Sequence, residues 1–172
     1  MKRMICAICA VLLLMLGTAV AEDATEAPDI TVLDSEGNEV ALSGMLGEKP
    51  AVINLWASWC PPCKAELPDF EEAFLRYGEE VNFLMVDLAS GLNGETVEVG
   101  KAFIEEAGYT FPVYFDRDGS TFAVGYVRDA VPVTWFISAD GTIRAGYVGR
   151  MEKESLTENI EAMLEEQGGA QP

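Results

Sequence analysis

Cys60 and Cys63 stand three residues apart with Pro61-Pro62 between them, directly after the apolar run Ala51-Val52-Ile53-Asn54-Leu55-Trp56. Two thiols one helical turn apart form a reagent if a helix starts at the first of them. The amides and dipole at a helix N-terminus stabilise a thiolate there. The second thiol then lies close enough to attack a mixed disulfide formed by the first. A buried strand must deliver the pair, and a helix must begin at Pro61.

Two other meanings of this spacing compete. A zinc site needs four ligands, but the chain has no histidine, and its remaining cysteines, Cys6 and Cys9, fall in the first ten residues. A purely structural disulfide over so short a loop removes little unfolded-state entropy. The spacing therefore favours redox chemistry. The absence of histidine also excludes Ser-His and Cys-His catalysis and histidine pH switching.

The surrounding elements follow from periodicity and punctuation. Residues 51–57 are apolar almost throughout, which predicts a central strand covered on both faces. From Pro61 to Tyr77 the pattern is helical, with Leu67, Phe70, Phe74 and Leu75 as its inward positions and a kink expected at Pro68. A second buried strand spans 81–88, a glycine loop follows, and a helix is predicted over 95–107. Residues 111–115 read as extended and 122–127 as ambiguous. Strands at 133–138 and 143–148 flank the turn signal Asp140-Gly141. An amphipathic helix over 152–167 carries Leu156, Ile160, Met163 and Leu164 and ends at Gly168-Gly169. Upstream, 30–33 and 39–42 flank a turn-rich cluster and predict an N-terminal β-hairpin. This order describes an α/β fold with a central mixed sheet and helices on both faces.

The ends of the chain set its surroundings. Residues 1–21 have the form of a secretory signal: Lys2 and Arg3, an apolar stretch, then Ala19-Val20-Ala21. An uncleaved membrane anchor is the alternative. Residues 22–29 read as an acidic, unpacked linker, 30–168 as the domain and 169–172 as a tail. Of 172 residues, 29 are Asp or Glu and 11 Lys or Arg, for a net charge of −18. Loss of Lys2 and Arg3 with the signal moves this from −18 to −20. Such a surface is a poor partner for nucleic acid, which needs basic clusters. An extracytoplasmic location is expected, where disulfide chemistry is supported.

Two blocks carry a resemblance: Asn54-Leu55-Trp56-Ala57-Ser58-Trp59-Cys60-Pro61-Pro62-Cys63-Lys64-Ala65-Glu66-Leu67-Pro68 and Val131-Pro132-Val133-Thr134-Trp135-Phe136-Ile137. They resemble the extracytoplasmic thioredoxin-like thiol–disulfide oxidoreductases of the TlpA/ResA type, over about residues 30–165. The resemblance implies a thioredoxin-like fold and reduction of disulfides in partner proteins, apocytochrome c being one example. A membrane thiol donor would return the electrons. No metal, nucleotide or haem is implied, and the chain is expected to act as a monomer. A disulfide oxidase or isomerase, or a redox-inactive binding module, is the alternative.

Residue by residue, the resemblance makes Cys60 the exposed nucleophile and Cys63 the partly buried resolving thiol. Pro132 matches a cis-proline facing the cysteines, which would free the amide and carbonyl of Val131 to pair with a substrate strand. Trp59, Pro61 and Pro62 would complete the docking surface. Glu66 matches an acid held near the cysteine pair, able to raise thiol pKa values and shuttle a proton. Asn54 occupies the place of a buried aspartate in cytoplasmic thioredoxins and cannot titrate. Val133 and Trp135 depart from the Thr and Phe usual after the cis-proline, which leaves substrate choice open.

Overall fold

The computed structural model describes residues 25–47, 49–119 and 131–169. The expected signal segment, the ambiguous stretch 122–127 and the last three residues of the tail lie outside them. Among the described residues no helix is long and apolar enough to cross a membrane.

The apolar runs form the middle of the sheet. Strand β3 (Ala51–Trp56) is buried at every position, as its unalternating sequence requires. It pairs in parallel with β4 (Asn82–Asp87) and antiparallel with β6 (Val133–Ile137). Beyond β4 lies β5 (Val113–Phe115), also parallel, and beyond β6 the antiparallel β7 (Ile143–Val148). Strands β1 (Thr31–Leu33) and β2 (Glu39–Ala41) pair antiparallel and extend the sheet past β5. The seven-stranded order is β2-β1-β5-β4-β3-β6-β7.

Helix α2 (Pro61–Tyr77) links β3 to β4, and α3 (Val97–Ala107) links β4 to β5. Two successive right-handed crossovers moving the same way along a sheet put both helices on one face. The C-terminal helix α4 (Lys153–Gly169) joins them there. That face buries Val52, Trp56, Phe83, Met85, Leu67, Phe70, Ile104 and Ile160 in one cluster. Each large apolar side chain so buried contributes roughly 1.5–3 kcal/mol. The opposite face buries Ile53, Leu55, Leu84, Val86 and Trp135 with Leu42.

Local differences from the sequence expectation are few. Leu42 does not end β2; it opens a single helical turn, α1 (Leu42–Met45), because its side chain serves the second core cluster. Leu75 is 71% exposed, and the buried stripe of α2 is Cys63, Glu66, Leu67, Phe70, Ala73 and Tyr77. Helix α2 runs as one 17-residue element through Pro68. Residues 25–29 are docked, not loose. Thr25 accepts from the Ile143 amide, Ala27 donates to Gly141, and Asp29 accepts from both the amide and the hydroxyl of Ser43. Helix α4 extends through Gly168 to Gly169.

Candidate active site

Cys60 is the N-cap of α2, with extended backbone (φ −90°, ψ 107°). Pro61 and Pro62 occupy the first turn, where a missing N–H is harmless. The first amide free to serve the cap is therefore that of Cys63, and it points at Cys60 Sγ at 3.2 Å. The two sulfurs are bonded, with Cα atoms 5.3 Å apart. Once the pair is reduced, the same amide is placed to stabilise a Cys60 thiolate.

Strand β6 brings the second block opposite. The Val131–Pro132 peptide is cis, and the Val131 carbonyl oxygen lies 3.6 Å from Cys60 Sγ. Pro61 and Pro62 are exposed, Trp59 and Val131 half-buried and Pro132 buried. The expectation of an exposed Cys60 is corrected. The residue is only 2% accessible, because the disulfide folds its sulfur back toward the Cys63 amide while the Val131 carbonyl covers it. Cys63 is wholly buried instead of partly so.

Glu66 lies one turn beyond Cys63 and is also wholly buried. Its carboxyl is gripped at both oxygens: Asn54 Nδ2 donates to Oε1 at 2.8 Å, and the Met151 amide donates to Oε2 at 2.6 Å. Asn54 Nδ2 also donates to Thr134 Oγ1 at 3.1 Å. Burial raises the Glu66 pKa to about 7, against the lowering effect of those two hydrogen bonds. The acid therefore titrates near neutrality. The roles of Thr134 and of the Met151 amide carry no sequence signature, since one is a strand hydroxyl and the other a backbone group.

A buried pair of acids, invisible in the sequence, supports the loop that carries Trp59 and Cys60. Glu95, at the end of the β4–α3 loop, is 1% exposed. Its Oε1 accepts from the Ser58 amide at 2.9 Å and its Oε2 from the Ser58 hydroxyl at 2.6 Å. The Cys60 amide donates to Ala57, closing the turn around Ser58. Asp87, the last residue of β4, is wholly buried within reach of Glu95. Among the described residues, neither of its carboxyl oxygens receives a hydrogen bond from a protein donor. Burial first, then the charge and hydrogen bonding of Glu95, push its pKa up to about 9.

Comparison with known proteins agrees with this geometry. The AhpC/TSA family profile matches residues 24–146. The thiol–disulfide oxidoreductase ResA of Geobacillus thermodenitrificans is 33% identical over 147 residues, spanning 85% of this chain and 80% of that protein. The chain belongs to the AhpC/TSA family. ResA-type thiol–disulfide oxidoreductases are among its relatives, and the chain is an enzyme of that class. A putative thiol:disulfide interchange protein DsbE from Chlorobium tepidum superposes with a TM-score of 0.71 at 26% identity, covering 82% of this chain and 96% of that one. StoA from Bacillus subtilis gives 0.65 at 26% identity, covering 79% and 98%. The thioredoxin-like fold expected from the two sequence blocks is the one found.

Proposed function

We propose that this protein reduces disulfides in partner proteins outside the cytoplasm, with Cys60 as nucleophile and Cys63 as resolving thiol. The observation that carries the reading is the Cys60 sulfur at the N-cap of α2, held by the Cys63 amide. Cys60 thiolate attacks one sulfur of the target, forming a Cys60–substrate disulfide and expelling the other sulfur as a thiolate. Cys63 then attacks Cys60, and the second substrate sulfur leaves. The substrate gains two electrons and two protons; the enzyme dithiol becomes the Cys60–Cys63 disulfide. A thiol donor at the membrane returns the electrons by the same exchange.

The other roles follow from position. Val131 and Pro132, with Trp59, Pro61 and Pro62, form the docking surface; the Val131 backbone pairs with an extended substrate segment. Glu66, titrating near 7, takes the proton released as Cys63 becomes a nucleophile. Apocytochrome c is a substrate consistent with the ResA-type relatives. The N-terminal signal-like segment supports export.

Resolution is the step to break. A Cys63→Ala variant is expected to accumulate a dithiothreitol-sensitive adduct through Cys60, visible on non-reducing gels of whole-cell extracts and absent from Cys60→Ser. Lack of any adduct in cells that express the folded variant would overturn the reading.

A further inference from the structure

Glu95 and Asp87 have no part in the exchange just described, yet they are buried directly behind the loop that performs it. The polar and charged groups around them come from a few elements. Ser58 faces Glu95 from the β3–α2 loop. Asp116, at the end of β5, donates its amide to the Asp87 carbonyl. Lys101 on α3 turns its ammonium to the Ser35 carbonyl at 2.7 Å and lies 5.5 Å over the Phe115 ring. Among the described residues, the charged side chain that acts on Asp87 is that of Glu95. On the α3 side, Gly100 leaves open the space that Asp87 fills: a Cβ there would meet Asp87 Oδ2 at 1.8 Å.

Two carboxyl groups in contact inside the protein core repel unless they share a proton. Among the described residues, protein donors reach Glu95 through Ser58, while none reaches Asp87. A hydrogen bond between the two acids therefore requires the proton to reside on one of them. Asp87, which has no hydrogen-bond donor among the described residues, is the acid that gains most by keeping it.

We propose that Glu95 is a positioning residue of the dithiol: it holds Ser58 at both amide and hydroxyl, and a proton on Asp87 ties Glu95 in place. The chain of contacts runs Asp87–Glu95–Ser58 and ends two positions before Cys60. Loss of that proton drives the two acids apart and frees the Ser58 turn. The inference rests on the proposed role of Cys60, but its test does not depend on that role alone.

The first arm follows the oxidised protein, in which the cysteines cannot titrate. Trp59 lies beside Ser58 and Trp56 pairs with Asp87 across β3 and β4, so indole fluorescence reports on the pair. An alkaline transition with its midpoint near 9 is expected in the wild type and is absent from Asp87→Asn, whose amide donates to Glu95 at any pH. Identical titrations of the two proteins would overturn the proposal. The second arm measures alkylation of Cys60 by iodoacetamide in the reduced protein. Glu95→Ala and Ser58→Ala are expected to slow it, the former by roughly tenfold, with Glu95→Gln recovering most of the loss because its carbonyl still accepts from the Ser58 amide. Equal rates in Glu95→Ala and wild type would overturn the positioning role and leave the dithiol assignment standing. A wild type that itself resists alkylation would count against the assignment, while the fluorescence arm still decides the proposal.

Discussion

Glu66 and Asp87 lie on the same face of the sheet, both fully buried and both with raised pKa values, yet they are built differently. Glu66 is met by two donors, one at each oxygen. Asp87 is met by none among the described residues and faces a second carboxyl instead. Hydrogen bonds that suit the ionised form bring Glu66 back to about 7, where small pH changes move its proton. Without them, and beside another acid, Asp87 holds its proton up to about 9. The donors, not the burial, separate an acid that titrates near neutrality from one whose proton stays put.

Removing each acid should therefore have opposite consequences. Glu66→Ala strands the Met151 amide in the core and leaves Asn54 Nδ2 with Thr134 Oγ1 alone, at about 1–3 kcal/mol for each lost partner. A loss of roughly 2–5 kcal/mol is expected in urea unfolding at pH 5. The isosteric Glu66→Gln keeps an acceptor for the Met151 amide. It should instead remove the inflection near pH 7 from the pH–rate profile of disulfide reduction, measured by stopped flow.

Asp87→Asn strands no donor. The wild-type acid moves from 3.8 in the unfolded chain to about 9 in the fold. The stabilisation that protonated Asp87 lends the fold is complete below pH 3.8 and lost as pH rises to about 9. Glu66 adds a narrower slope of the same sign, from 4.5 to about 7. Asp87→Asn should stabilise the protein at pH 7, on the order of 1–3 kcal/mol, and flatten the fall in stability between pH 7 and 9. Thermal melts across that range check both; a variant less stable than wild type at pH 8 would contradict the comparison.

Smaller changes refine it. Thr134→Val removes one of the two acceptors of Asn54 Nδ2 and leaves the Glu66 contact. A loss of about 0.5–1.5 kcal/mol is expected in urea titrations. Arg144→Ala breaks an exposed ion pair with Glu166 and sets the baseline; melts should shift by no more than about 0.5 kcal/mol equivalent.

The sequence carried the Cys60–Cys63 half of the site and hid the Asp87–Glu95 half. Ala51–Trp56 announces a central strand by its unbroken apolarity, and the two prolines between the cysteines mark a helix start. Pattern and spacing thus place the dithiol. Asp87 reads as the polar end of a strand and Glu95 as the start of a helix, with a glycine loop between them. Nothing in that spacing says that the loop folds back to put one carboxyl against the other and both behind Ser58. Leu75 misled for a related reason: helical periodicity identifies a stripe but not its edges, and Glu66 occupies the position that an apolar residue would be expected to fill. The covering of Cys60 is equally tertiary, since the Val131 carbonyl comes from the bend before β6, 71 positions away.

The glycine at position 100 has a consequence for how this enzyme can vary. Because helix and acid share one volume, bulk gained at either position has to be surrendered at the other. A lineage that replaces Asp87 by a smaller residue gains room for alanine in α3, and one that keeps the acid is bound to the glycine. The two positions should therefore drift together, as a coupled pair, while the cysteines beside them stay constant.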